Sequence, residues 1–290
     1  MVKKAIITDA GFASRYLPIT KTIPKGMLPM GNKPIMQLVV EECVEAGIEE
    51  IIIVATPEGR PIYEDYFNNS VNRIRKQLES QGKLDRYRPV EEVLNFPKIF
   101  VIEQDQSLPY GNGSPILSAK GFVEQEEAFL VIYSDDLVLG KYRDAQALVD
   151  EYKKNKDVNA IIIATEIEKE QVSKYGIISL KDENKLDTII EKPDEKDAPS
   201  NLASYGRYLL KPNIFDYLRR DQLGKDNELW TVDAITKLAK DKGNVQVLQS
   251  KATWVTTGDP DNYFKAYLTY LSYKGKIDNK KAEELIKSAK

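Results

Sequence analysis

The amino-acid sequence predicts an α/β fold in which helices cover both faces of one doubly wound, mainly parallel sheet, giving three layers. Two observations carry this prediction. Short apolar runs such as Ile51-Ile52-Ile53-Val54 alternate with helical patterns along the first 170 residues or so, the signature of parallel strands joined by crossover helices. Beyond that point the rhythm changes to closely spaced short strands, which adds a mixed, partly antiparallel region.

Each element follows from its local pattern. Lys3 to Thr8 reads as a buried strand. Pro34 to Ala46 reads as a helix, with Pro34 tolerated in the first turn and Gly47 as the stop. A second strand spans Glu50 to Ala55, and Ile62 to Phe67 is helical. Residues 68–98 are polar and helical, an insertion ahead of the third strand, Ile99 to Gln104. A helix from Pro115 to Val123 leads to a fourth strand, Phe129 to Tyr133, and a helix from Ala145 to Tyr152 leads to a fifth, Ala160 to Glu166. Short strands follow at Tyr175–Ser179, Leu186–Glu191 and Ala203–Leu210, then helices at Ile214–Arg219 and Trp230–Asp241. Strands at Val245–Gln249 and near Trp254 precede a helix from Pro260. The expected organisation is one unit over 1–274 and a charged C-terminal helix or tail over 275–290.

Composition narrows the chemistry. Charged residues make up 30% of the 290 residues, yet the net charge is only −3 and no basic patch is clustered, so nucleic acid is not an expected partner. No run of about 18 apolar residues is present, so no membrane span is expected. The N-terminal residues are too few and too strand-like for a signal peptide, and the single cysteine, Cys43, excludes an intrachain disulfide, so a cytoplasmic location is expected. The chain has no histidine, which removes Ser-His-Asp and Cys-His catalysis and histidine-containing zinc sites. A metal would then rest on oxygen ligands, which favours Mg²⁺.

In a doubly wound sheet, ligands gather at the carboxyl ends of the strands. The segment after the first strand runs from Asp9 through Lys25 and carries Arg15, Lys21, Lys25 and two prolines. Backbone near Gly11 can approach phosphate oxygens, Arg15 can clamp a phosphate with two N–H groups, and Lys25 can act as a point charge. Neither a Walker A loop nor a dinucleotide fingerprint is present. Composition alone leaves an ordinary surface loop with solvated basic residues as the simpler alternative.

The segment resembles the signature of the sugar nucleotidyltransferases, in particular the bacterial-type UTP–glucose-1-phosphate uridylyltransferases. The matching residues are Ala10-Gly11-Phe12-Ala13-Ser14-Arg15, Pro18, Thr20-Lys21 and Pro24-Lys25-Gly26-Met27-Leu28-Pro29, and the likeness extends over about residues 3 to 273. It implies a Rossmann-like three-layer sheet of the nucleotide-diphospho-sugar transferase type and transfer of a uridylyl group from UTP to glucose 1-phosphate, giving UDP-glucose and pyrophosphate. It also implies Mg²⁺ and a homo-oligomer.

The resemblance assigns roles residue by residue. Arg15, Lys25, Asp135 and Lys192 are the catalytic candidates, with Asp135 also the metal ligand. Ala10, Gly11, Ala13, Ser14, Gln104, Gly111 and Asp136 are expected at the nucleotide, with the Gln104 amide reading the pyrimidine edge. Gly176, Glu191 and Glu228 are expected at the sugar, and Lys192 at its phosphate. Five departures from the pattern stand out: Ala13 replaces a glycine, Ser14 a threonine, Ser114 a histidine, Trp230 a common glutamine, and Thr256 the aspartate that serves as second metal ligand. Asp259 lies just beyond, where it serves equally as a helix cap. Two other readings remain open at this point: a sister enzyme with another base or sugar, and a non-catalytic paralogue that binds a nucleotide sugar.

Overall fold

The structure is a computed structural model that describes residues 1–278 together with Lys280 and Lys281. The charged helix or tail expected over 275–290 falls mainly outside the described residues.

Strands form where β-branched residues concentrate, because such side chains pack well on a pleated surface. The chain opens with β1 (Lys4–Asp9), a short hairpin of β2 (Pro29–Met30) and β3 (Lys33–Pro34), and α1 (Ile35–Glu45). Next come β4 (Glu50–Ala55), α2 (Gly59–Asn68), α3 (Asn72–Ser80) and α4 (Arg88–Leu94), the last two forming the polar insertion. β5 (Lys98–Glu103) precedes α5 (Gly113–Ser118) and α6 (Lys120–Val123), two short helices in place of the one expected. They part at Ala119, whose ψ of 3° leaves the helical range. β6 (Phe129–Tyr133), β7 (Asp136–Leu139), α7 (Asp144–Lys154) and β8 (Ala160–Glu166) follow. The last third holds β9 (Gly176–Asp182), β10 (Lys185–Glu191), β11 (Leu202–Leu210), α8 (Thr231–Lys242), β12 (Val245–Gln249), β13 (Thr253–Thr256) and α9 (Pro260–Tyr273). The helix expected at Ile214–Arg219 is a 3₁₀ turn over Pro212–Asp216, opened by Pro212.

Among the described residues, nine strands form one sheet in the order β5-β4-β1-β6-β11-β8-β12-β10-β9. Pairing directions make seven of these nine strands run the same way, with β10 and β11 opposed. The sheet is therefore mixed, with a mainly parallel sense. Alternation along each strand sends neighbours to opposite faces. Ile7, Ile51, Ile53 and Ile132 pack on one side with Val39 and Val40 of α1 and Leu148 of α7. Ile6, Ile52, Val54 and Val131 pack on the other side with Ile116 of α5 and Ile235 and Leu238 of α8. These are the three layers. They set the ends of β1 and β6 side by side, since the two strands pair from Ala5↔Leu130 to Thr8↔Tyr133.

β7 has no counterpart in the expected elements. Only Ser134 and Asp135 separate it from β6, and it leaves the main sheet to pair antiparallel with β13, matching Thr256 with Asp136. This small second sheet carries the far end of the chain to the mouth of β6.

Ile6 is fully buried in β1 between β4 and β6. Replacing it with alanine removes three carbons and leaves a void that the surrounding strands cannot close. Ile6→Ala is expected to lower the unfolding free energy by about 2–5 kcal/mol, read from urea denaturation midpoints. A loss below about 1 kcal/mol would contradict this packing.

Candidate active site

The loop after β1 is built from three consecutive 3₁₀ turns, Ser14–Tyr16, Ile19–Lys21 and Lys25–Met27. Ala13 enters the first turn with φ 45° and ψ 41°, a left-handed conformation. Glycine adopts this without penalty, whereas a Cβ crowds the following carbonyl. The residue type and the backbone it must adopt are therefore in conflict at Ala13. Thr20 ties the turn down by donating its hydroxyl to the Ala13 carbonyl at 3.0 Å. Ala10 is half-buried, while Gly11, Ser14 and Arg15 are exposed, and the space above Gly11 is open. Arg15 reaches the Gly258 carbonyl at 3.4 Å.

Lys25 lies deeper. Its Nζ is 2.7 Å from Asp135 Oδ2, joining the loop after β1 to the turn after β6. Burial opposes the charge on Lys25, but Asp135 and Asp9 outweigh it and raise its pKa. Burial also opposes ionisation of Asp135, and there Lys25 wins, holding the carboxyl below its ordinary range. A third of the Asp135 side chain remains open (33%). Asp9, ending β1, is buried beneath the loop, accepting from Ser134 Oγ at 2.7 Å and from the Tyr63 hydroxyl.

The far end of the chain closes round the same turn. The Asp135 carbonyl accepts from the Thr257 amide at 2.6 Å and from the Thr257 hydroxyl at 3.0 Å. The Thr256 hydroxyl stands 3.4 Å from that carbonyl, so Thr256 lies beside the Asp135 turn. Asp259 caps α9, accepting from the Asn262 amide at 2.9 Å and its side chain at 2.7 Å. Asp136 departs from the expectation of a nucleotide contact. It is buried, and its Oδ1 accepts from Trp254 Nε1 at 2.8 Å. Burial, and then the Asp135 charge beside it, push its carboxyl up to about 7. Adjacent residues at a strand end point to opposite sides, so only one of the two aspartates faces the cleft.

On the β5 side, Gln104 follows the strand with its amide N–H bonded to Ala55 O at 3.0 Å, which sets it at the carboxyl end of β4. Gly111 adopts φ 133°, and any Cβ there would collide with the backbone of Leu229. Leu229 in turn donates to Tyr110 O at 2.7 Å and accepts from Gly113 N at 2.8 Å. Gly111 thus serves a backbone clasp between this loop and the segment before α8. Ser114, where the pattern has histidine, is fully buried and donates to Pro109 O.

Of the residues expected at the sugar, Gly176 lies on β9 and Glu191 on β10. Gly176 pairs with Glu191 across these strands and with Ser204 on β11. A Cβ at Gly176 would lie 3.1 Å from Glu191 Oε2, so glycine leaves the carboxylate its room. Burial raises the Glu191 pKa against the pull of Lys192. Lys192 has φ 46°, and its Nζ sits 3.4 Å from Glu191 Oε1 and 4.5 Å from the Trp230 ring centroid. Trp230 is buried and donates to Lys225 O at 3.0 Å. Lys225 reaches Lys192 O at 3.1 Å and accepts from the Glu228 amide at 3.1 Å, which brings Glu228, half-buried, to this side of the cleft. Trp254 joins the two halves, meeting Tyr175 edge-on at 5.1 Å while bonding Asp136.

Two contacts escaped the sequence reading. Phe12 and Tyr110, both exposed, stack with their ring planes 4° apart and so bridge the loops after β1 and β5. The aromatic character of each was visible, but nothing local links them. Arg207 is the second, fully buried beneath the Asp135 turn. Among the described residues, no group of three or more His, Cys, Asp or Glu is placed to hold a metal. A metal at Asp135 would complete its shell with substrate phosphates and water, which is the usual habit of Mg²⁺.

Known proteins resemble this chain in sequence and in fold. Residues 4–272 match the family model described as nucleotidyl transferase. A UTP–glucose-1-phosphate uridylyltransferase of Bacillus subtilis is 40% identical over 241 residues, covering 82% of this chain and 80% of that protein. A UDP-glucose pyrophosphorylase complexed with UDP-glucose superposes with a TM-score of 0.80 at 34% identity, covering 94% of this chain and 99% of the other. A UTP-bound enzyme from Acinetobacter baumannii gives 0.83 at 30% identity, covering 100% and 99%.

The Ala13 conflict has a measurable consequence. Ala13→Gly is expected to raise the unfolding free energy by about 1 kcal/mol, because it removes the left-handed penalty at little cost in a loop. Denaturation midpoints check this, and a decrease would contradict the strained turn.

Proposed function

We propose that this chain, which belongs to the nucleotidyl transferase family, joins UTP to glucose 1-phosphate and releases pyrophosphate, leaving UDP-glucose. The observation that carries the reading is the Lys25–Asp135 pair at 2.7 Å, set where the loop after β1 meets the turn after β6.

The chemistry suits a protein without histidine. A phosphate oxygen of glucose 1-phosphate attacks the α-phosphorus of UTP, and the bond to the β-phosphate oxygen breaks as pyrophosphate leaves. The attacking phosphate is already ionised, so no general base is needed and catalysis is alignment plus charge neutralisation. Arg15, exposed at the loop with one long contact to the Gly258 carbonyl at 3.4 Å, would fold onto the β- and γ-phosphates. Lys25 neutralises charge beside the α-phosphate. Lys192 holds the sugar phosphate, its ammonium steadied over Trp230 and beside Glu191. Glu191 and Glu228 accept from sugar hydroxyls, and the Gln104 amide pairs with the uracil edge. Asp135 fits Mg²⁺, being an ionised, partly open carboxylate at the phosphate site, and the ion would supply further neutralisation of the phosphates. The same reading includes a cytoplasmic location with the nucleotide pool. It also includes assembly of identical chains, supported by the exposed apolar residues Phe264 and Leu268 on α9.

Pyrophosphate release tests the reaction. With Mg²⁺ present, UTP and glucose 1-phosphate are expected to be the preferred pair among nucleoside triphosphates and sugar 1-phosphates. Release with dTTP but not UTP, or with no pair, would overturn the reading. Lys192→Ala is expected to raise the KM for glucose 1-phosphate by about 10-fold or more while the KM for UTP stays within about 3-fold; an unchanged sugar-phosphate KM would remove Lys192 from its role.

Thr256→Asp restores a carboxylate beside Asp135. It is expected to lower the half-saturating Mg²⁺ concentration several-fold, since charge count tunes such sites. An unchanged or higher value in a Mg²⁺ titration would show that position 256 does not face the ion.

A further inference from the structure

Arg207 is the one charged residue of β11 and is fully buried. A local irregularity brings it there. The pairing of β11 with β8 shifts register between Ser204 and Tyr208, and Gly206 within that shift has φ 75°. Any Cβ on Gly206 would strike the Tyr133 ring. Such irregularities re-aim side chains, often next to active sites. Here the result is a guanidinium under the turn between β6 and β7. Arg207 Nη1 donates to Tyr133 O at 3.1 Å and to Gly206 O at 3.3 Å, and Nη2 donates to Asp136 O. Tyr133 and Asp136 bracket Ser134 and Asp135, so one planar group holds both ends of the turn. Glu42 of α1 anchors the fork, with Oε2 3.0 Å from Nη2 and Oε1 3.3 Å from Nε. Glu42 Oε1 also accepts from the Ala145 amide at 3.1 Å.

We propose that Arg207 is a positioning residue for the reaction, its guanidinium setting the turn that presents Asp135 to Lys25. This rests on the function proposed above. Buried ion pairs are often replaceable by apolar residues with no loss of stability, so stability alone does not account for a charge at this depth. The two carbonyls on either side of Asp135 give the charge a specific task. A lysine keeps the charge but, as a point donor, cannot span these acceptors.

The test compares Arg207→Lys, Glu42→Gln and Tyr87→Phe in the full chain. Tyr87→Phe is a stability control, because the buried Tyr87 hydroxyl accepts from the Val71 amide at 2.9 Å in the polar insertion, away from the Asp135 turn. Arg207→Lys is expected to lower kcat about 10–100-fold with both KM values within about 3-fold. It is also expected to speed hydrogen exchange at the Thr257 amide, which bonds the Asp135 carbonyl. Tyr87→Phe is expected to lower Tm while leaving kcat and that exchange unchanged. If Arg207→Lys behaves like Tyr87→Phe, the proposal is overturned. If Arg207→Lys does not fold, Glu42→Gln decides: it keeps the fork and loosens its anchor, so kcat falls about 3–10-fold, and unchanged kcat and exchange overturn the proposal. Absence of pyrophosphate release by the unsubstituted chain would reject the reaction itself, while the exchange measurement still judges the turn.

Discussion

The ion pair between Lys25 and Asp135 is the contact on which the site depends. It joins two loops that follow neighbouring parallel strands, β1 and β6, and it is shielded enough for each partner to fix the charge of the other. Everything near it has a place defined by this crossing. Asp9 and Ser134 bond beneath it, Thr257 closes on the Asp135 carbonyl, and the small β7–β13 sheet brings Thr256 alongside. Opposing charges held at fixed positions suit a transfer between phosphates, where charge must be neutralised without rearrangement during the reaction.

Beneath the pair, Trp254 and Arg207 tie the Asp135 turn to the core. Trp254 stacks on Tyr205, contacts Tyr175 and donates to Asp136. Asp136 therefore belongs to the wall of the site, and its raised pKa reflects burial beside a charged neighbour. The residues expected at the sugar are arranged by a different device. A glycine at position 176 makes room for Glu191, and the Trp230 ring lies under the Lys192 ammonium. The tryptophan that departs from the family pattern is thus both core and support for a catalytic candidate.

Much of this was legible in the sequence, for physical reasons. The isoleucine-rich strands announce themselves because burial on both faces leaves a continuous local apolar run. The loop from Ala10 to Lys25, the Asp135 turn and the Glu191-Lys192 pair were found through their likeness to a family. What escaped depends on contacts between distant segments. A strand near Trp254 was expected, but its partner β7 was not, because that four-residue stretch is held only by pairing with β13. The split between Asp135 and Asp136 needs the partner Trp254. Phe12 meets Tyr110, and Arg207 meets the β6 turn, only after the sheet has assembled. At Ala13 the departure was visible, but the left-handed backbone that gives it physical meaning was not.

A double-mutant cycle at the central pair tests the whole arrangement most directly. Lys25→Met, Asp135→Asn and the double variant would be compared by kcat/KM for pyrophosphate release from UTP and glucose 1-phosphate. Because the two groups act as a unit, each single change is expected to cost on the order of 10²–10³, and the double variant little more than the worse single one. Losses that simply multiply would mean that Lys25 and Asp135 act independently, and would contradict a site organised by their pairing.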